Sequence, residues 1–305
     1  MKRLVLTGLL AASMALPAWG LSKTVRASGY DILVGYPNGV AVIDPNQADD
    51  WGLIPVTGKV EAAVTLRDRQ VLLLHAPDIG ELAIVDIEPF SPSRYQVLAS
   101  YRSPELMRRG LRFVRSGTRV YLASGQTAVA ILDPKTLLAK LGLYTFDFLP
   151  LVYSAGDQSV LPQGIFTLKD GQLTYEDPRP RGGISAPVYI RLSQRPLEML
   201  TDAVAGKLYV SASKPDGTAI VFVVDAGTRA VVQEIPVPWP ITSMAWLDNG
   251  ELAMLSGPRR RLALYDTKLN KWARVWTPKI PGLPTRLLPV GKPPEVAPPP
   301  PEEEP

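Results

Sequence analysis

One short pattern, an apolar run closed by aspartate, recurs six times along the chain. The copies are Val40-Ala41-Val42-Ile43-Asp44, Leu82-Ala83-Ile84-Val85-Asp86, Val129-Ala130-Ile131-Leu132-Asp133, Gln172-Leu173-Thr174-Tyr175-Glu176-Asp177, Val221-Phe222-Val223-Val224-Asp225 and Leu262-Ala263-Leu264-Tyr265-Asp266. Successive aspartates lie 42, 47, 44, 48 and 41 residues apart. A repeat of about 40–50 residues is one supersecondary unit that must stack on its neighbours to bury its apolar faces, and propeller blades have this spacing.

Within each period the order of signals is constant. An apolar strand precedes a tight turn, and the strand ending in aspartate follows. Lys169-Asp170-Gly171 and Pro215-Asp216-Gly217 are hairpin turns, because glycine supplies positive φ without strain. A third strand follows the aspartate (229–237, 271–277, 187–192), and a fourth follows a proline-containing link (241–247, 60–66, 111–114). Four short strands per unit make one blade. Runs such as Ile220-Val221-Phe222-Val223-Val224 are apolar at successive positions, so both faces of the strand are covered. The ends complement each other: residues 30–34 form a second strand with no first, and residues 285–290 an inner strand with no followers. The fold expected is therefore all-β, a single propeller of six four-stranded blades, with the C-terminal strand pairing in the N-terminal blade. Seven blades would need about 37 residues each and a repeat that the sequence does not carry.

Residues 1–20 read as a secretory signal, with Lys2 and Arg3 before an apolar stretch and Ala18-Trp19-Gly20 before the cut; a retained anchor is the rival reading. Residues 21–29 are a short lead, 30–291 the propeller and 292–305 a tail of proline and glutamate. That tail is expected to be disordered polyproline II with a reach of about 40 Å. No later run is long and apolar enough to span a bilayer. Export to the periplasm or cell surface follows from this reading. With no cysteine and one histidine, His75, thiolate chemistry and multi-histidine metal sites are excluded. The net charge of +4 permits an anionic partner without requiring one, and for an exported chain it speaks against nucleic acid.

Several strands resemble those of the YVTN-type β-propeller repeats, within the wider superfamily of quinoprotein-dehydrogenase-like propellers. Tyr209-Val210-Ser211-Ala212-Ser213 and Tyr121-Leu122-Ala123-Ser124-Gly125 are similar to the family's "YVAN" strand. The segment 224–231 is similar to its "VIDtatnkVv" stretch, and Trp246-Leu247-Asp248-Asn249-Gly250 to its "spDG" turn. The resemblance covers residues 31–291, is weakest in the fourth repeat, and implies the fold more than any activity.

Chemistry is sparse in the sequence. The six aspartates invite a metal reading, but one per blade around a ring cannot converge on an ion. A role in accepting turn N–H groups is the better expectation. His75 is read as a loop histidine after Leu72-Leu73-Leu74, with a catalytic pairing to Asp78 as the alternative. No catalytic, metal or cofactor site is assigned: there is no phosphate-binding glycine loop, and nothing supports a quinone cofactor.

The basic groups give the stronger lead. Arg108 and Arg109 lie in an expected short helix between blades, 103–110, and Arg259 and Arg260 in the hairpin of the last unit. In a four-stranded blade the second hairpin and the link to the next blade open on one face. That face would also collect Trp239, Phe146 and Phe148, with Leu141 opening an aromatic connection. Arginine with exposed aromatics suits an anionic polymer or a protein hot spot, and a merely solvated rim is the other reading. The expectation is a non-catalytic binding or scaffold module for an envelope protein or anionic cell-surface polymer, with the tail as a further partner motif. The alternative is a propeller hydrolase or lyase acting on a small ester or sugar derivative.

Overall fold

The computed structural model describes residues 31–45, 51–66, 71–88, 91–116, 118–124, 127–146, 158–177, 187–247, 249–280 and 282–288. The expected leader, 1–20, and the proline-rich tail lie outside these residues.

The second and third strands of each repeat pair as the hairpins expected, and six four-stranded antiparallel sheets result. Blade one contains β1 (Ile32–Tyr36), β2 (Gly39–Ile43) and β3 (Trp51–Ile54). Blade two contains β4 (Ala62–Leu66), β5 (Val71–Ala76), β6 (Glu81–Asp86) and β7 (Val97–Arg102). Blade three contains β8 (Arg112–Ser116), β9 (Arg119–Ser124), β10 (Thr127–Leu132) and β11 (Ala139–Thr145). Blade four, the weakest repeat in the sequence, is complete: β12 (Gln158–Leu161), β13 (Gly164–Lys169), β14 (Gln172–Glu176) and β15 (Val188–Ile190). Blade five contains β16 (Pro196–Asp202), β17 (Lys207–Ser213), β18 (Ala219–Asp225) and β19 (Ala230–Val237). Blade six contains β20 (Ser243–Trp246), β21 (Leu252–Ser256), β22 (Arg261–Asp266) and β23 (Lys271–Trp276). The last strand, β24 (Arg286–Leu287), joins blade one at its inner edge. The chain is a six-bladed β-propeller.

Period-two side-chain alternation lets one strand serve two neighbours. Ile32 and Val34 of β1 pack against Leu255 and Leu264 of blade six, whereas Leu33 packs against Leu72 and Leu74 of blade two. The same alternation sends Tyr209 and Val221 toward Trp246 and Met254, and Val210 and Phe222 toward Phe166 and Leu173. Outer strands follow the opposite rule. β7, β19 and β23 alternate between half-buried and exposed along most of their length, because only one side of an outer strand meets protein.

The turns after the aspartates follow a common plan. Asp225 accepts the N–H of Thr228 at 2.7 Å, and the N–H of Arg229, at φ 61°, returns to the Asp225 carbonyl at 2.8 Å. Asp133 accepts from Lys135 N–H at 2.8 Å, with Leu137 at φ 59°; Asp266 accepts from Lys268 and Leu269 at 2.9 Å each, with Asn270 at φ 54°. These hydrogen bonds hold Asp133 and Asp225 below the usual carboxylate range. Asp133, Asp225 and Asp266 are turn caps, as their place in the sequence implies. Asp170 (φ 53°) and Gly171 (φ 74°) form the tight turn expected of their dipeptide.

Ring closure occurs where the sequence places it. Val34 pairs with Leu287 and Gly35 with Arg286; Thr285 N–H donates to Gly35 O at 2.7 Å and Leu288 N–H to Leu33 O at 2.9 Å. Leu287 and Leu288 are both buried. Burying two leucines stabilises by about 3–6 kcal/mol before the two backbone bonds are counted. Deleting residues 284–305 should therefore lower Tm by about 10 °C or more, while deleting 293–305 should leave it unchanged. Equal melting temperatures in a thermal scan would contradict this mode of closure.

Candidate functional site

The innermost strands of all six blades run in one direction, so their first residues gather at one mouth of the central channel. The second hairpin of each blade and the inter-blade links open on this same side, here called the link face. The channel mouth brings together charges far apart in sequence. Glu198 is the third residue of β16, Arg286 opens β24, and Glu61 immediately precedes β4.

Glu198 is half-buried, and its Oε2 accepts the Met244 N–H of the adjacent inner strand at 2.6 Å. Met244 can donate inward because β20 has no partner strand on its channel side. Arg286 donates through Nη1 to the Glu61 carbonyl oxygen, and its charge also acts on the Glu61 and Glu198 carboxylates. Blade six separates Glu198 from Arg286, so this attraction reaches from blade five to blade one. Burial dominates the titration of Glu198 and pushes it up to about 7, against the lowering effects of the Met244 bond and the Arg286 charge. Burial likewise lowers Arg286, opposed by the two glutamates. Sequence reasoning passed over both residues. Neither lies in a motif, and only the ring brings them together.

His75 differs from its sequence expectation. It is not in a loop but in β5, fully buried, with Nε2 2.7 Å from the carbonyl oxygen of Leu106. The carbonyl can only accept, so Nε2 carries the proton, and Nδ1 is buried without a partner among the described residues. β5 runs two residues beyond the leucine triplet because Ala62 and Leu82 pair on either side of His75. Asp78, the partner considered for it, instead accepts from Arg109 at 2.7 Å. His75 thus clamps the link between blades two and three through Leu106.

That link is shorter in helix than expected. Pro104–Met107 form a single 3-10 turn in which Ser103 Oγ accepts from Glu105 N–H, and the chain is extended again at Arg108 (φ −69°, ψ 134°). The tighter turn buries Leu106 and leaves Met107 58% exposed. Arg108 and Arg109 follow, both exposed, and Arg109 also lies 3.8 Å from Glu61. Arg259 and Arg260 are exposed in the β21–β22 turn, and Arg260 donates to the Ile280 carbonyl at 3.0 Å. All four arginines therefore lie on the link face, as two pairs separated by blade one.

The aromatics are less available than the sequence implies. Trp239 is buried beneath Arg261, whose guanidinium carbon sits 5.3 Å from its ring centroid, and it packs toward Trp272. The five-residue link 238–242 is too short to hold an indole away from the seam between blades five and six. Phe146 is half-buried and stands edge-on to Tyr121 at 5.5 Å. β11 reaches Thr145, so the connection begins at Phe146, later than expected; Phe148 lies outside the described residues. Among the described residues, no three His, Asp or Glu side chains are placed to share a metal ion. No helix among them is long and apolar enough to cross a membrane.

Several solved propellers are similar in fold. Apo AztD from Citrobacter koseri is 11% identical with a TM-score of 0.62, covering 85% of this chain and 96% of that one. A functionally unknown protein from Desulfotomaculum acetoxidans is 11% identical with a TM-score of 0.58, covering 85% and 99%. A chain of the nidogen/laminin complex is 7% identical with a TM-score of 0.53, covering 85% and 98%. No protein-family model and no curated protein matches the chain. The resemblance to YVTN-type repeats thus extends to the propeller fold, without a matching family model.

Two titrations distinguish the buried groups. The His75 pKa is lowered from 6.5, chiefly by burial, so the folded protein resists the proton that the unfolded chain accepts. The stability this group contributes is complete above pH 6.5 and is lost as pH falls below it. His75→Gln keeps a donor for Leu106 and removes the titration. Between pH 6.5 and 5, its Tm should fall less than that of the parent protein; parallel curves would contradict the clamp. Glu198 has the opposite sign. Its folded pKa of about 7 exceeds the ordinary 4.5, so charging it costs stability as pH rises through that interval. Glu198→Gln should raise Tm by about 3–8 °C at pH 8 and change it little at pH 4.5. An unchanged Tm at pH 8 would show that the carboxylate is not held in a costly site.

Proposed function

We propose that this propeller is an exported binding module that holds an envelope protein or anionic cell-surface polymer against its link face. The observation that carries this reading is the pair of arginines released from internal duties there. Arg108 and Arg259 are exposed and form no hydrogen bond or ion pair with another described residue, and the exposed Met107 adjoins one of them. An exposed guanidinium that makes no hydrogen bond or close ion pair with the described residues, beside an apolar side chain, is equipped for a carboxylate, phosphate or sulfate group on a partner. The reading of the first twenty residues as a secretory leader supports an encounter outside the cytoplasm, and the proline-rich tail would supply a tether or second contact. Arg109 and Arg260 are assigned to holding the loops, because each already serves an acceptor within the domain.

The test separates the two pairs. Arg108→Ser with Arg259→Ser should leave Tm within about 1–2 °C, since exposed substitutions away from contacts cost less than about 0.5 kcal/mol. The same variant should lose most of its salt-sensitive binding to dextran sulfate and its cross-links to envelope components. Those losses would reflect slower association when complementary charge is removed. His75→Gln should bind as the parent does. Unchanged binding by the double-serine variant would remove the link face from the proposal, and turnover of a small ester abolished by His75→Gln would replace the binding reading by an enzymatic one.

A further inference from the structure

The strongest unassigned feature is the channel mouth itself. β16 is the only inner strand among the described residues with a register shift: Pro196 pairs with Ala212, Glu198 with Ser211, and Leu197 is the extra residue between them. A bulge re-aims the side chain that follows it, and bulges are enriched beside functional sites. The bulge leaves Leu197 exposed, while Glu198 reaches Met244 on the neighbouring blade. Met244 occupies one carboxyl oxygen; the other makes no hydrogen bond within the described protein. Across the mouth, the Nε–H of Arg286 is buried with no acceptor among the described residues. A guanidinium donor without its acceptor costs about 1–3 kcal/mol, and native proteins seldom leave one unused. Leu283, in the link leading to β24, adds a second exposed apolar side chain on this face.

We propose that the channel mouth binds a small monocarboxylate with an apolar tail, its carboxylate between Arg286 and Glu198 and its tail toward the link-face rim. The chemistry is complementary. The Arg286 guanidinium supplies charge-assisted donors to a carboxylate, and a protonated Glu198 supplies a further O–H while Oε2 keeps its bond to Met244. An ionised Glu198 would instead repel the ligand. Binding therefore favours the protonated form and takes up a proton, so affinity declines as pH rises past neutrality. The charged neighbours are Glu61, whose carbonyl anchors Arg286, and Arg109 with Asp78 outside Glu61. Arg112 opens the next inner strand, and His75 lies behind Glu61 and within range of its charge. His75 belongs to a lower pH range, so the interval from pH 6 to 8 reports on Glu198.

Calorimetric titration of the purified full chain with sodium hexanoate, in buffers of differing ionisation enthalpy, tests the assignment without any macromolecular partner. Expected are saturable binding at pH 6, weaker by about tenfold at pH 8, and proton uptake of up to one per ligand at pH 7–8. Glu198→Gln should keep binding but lose both the pH dependence and the proton uptake. Arg286→Lys should weaken binding by more than tenfold, with its fold checked by Tm; if that variant unfolds, Arg286 occupancy is read from the hexanoate-induced shift of the guanidinium Nε–H resonance in the parent protein. Absence of hexanoate binding at pH 6, or binding indifferent to pH in the parent, overturns the proposal. Inorganic phosphate binding in place of hexanoate would show an oxyanion site of another class and would equally overturn it.

Discussion

The constraint on which the rest depends is that no blade has a finished surface. Ile32 and Val34 need blade six, and Leu33 needs blade two, although all three belong to one five-residue strand. A sheet apolar on both faces is stable only between two others, and a linear stack would still end in two bare faces. Closing the ring removes both. The two residues of β24 and the buried Leu288 matter out of proportion to their number because they set the first blade against the last.

Closure also creates the site. Inner strands lack a partner on their channel side, so their backbone N–H and C=O groups face a narrow enclosed space. Glu198 satisfies one of them, the Met244 N–H, and Arg286 satisfies the Glu61 carbonyl. Both side chains are half-buried, and burial dominates their titrations. An apolar residue at position 198 would spare the protein the cost of charging a buried carboxyl. The carboxyl is instead placed there by a bulge that interrupts an otherwise regular strand pair.

Much of this architecture was legible in the sequence because it depends on local signals. Asp225 and Asp266 announce their turns through the residues that directly follow, Asp170-Gly171 fixes a hairpin, and the continuous apolar run 220–224 declares a strand covered on both faces. The channel mouth was illegible for the converse reason. Arg286 and Glu61 are separated by 225 positions, and Glu198 lies in a strand with no distinguishing motif. Pro77 and Asp78 look like the turn itself and so suggest a loop position for His75, whereas pairing with both Ala62 and Leu82 extends the strand to Ala76. For Trp239 the flanking prolines suggest a projecting loop, while Arg261 and Trp272 enclose the indole.

The two ends of the ring divide their work. At one end the short turns 134–137, 226–229 and 267–270 each span four residues, with an aspartate before them and a left-handed residue at the close. This uniformity belongs to blades three, five and six; the equivalent connections 44–50, 87–96 and 177–187 are longer. The link face is irregular. Its inter-blade connections range from five residues at 191–195 to twelve at 146–157, and they carry Arg108, Arg109, Met107 and the approach to Glu61. His75 and the Ser103 cap hold one of these loops from below, leaving Arg108 and Met107 exposed while Arg109 is tied to Asp78. The groups with unsatisfied or costly charge gather at the link-face end. The costly Glu198, the unsatisfied Arg286 and the free arginines all belong to that end.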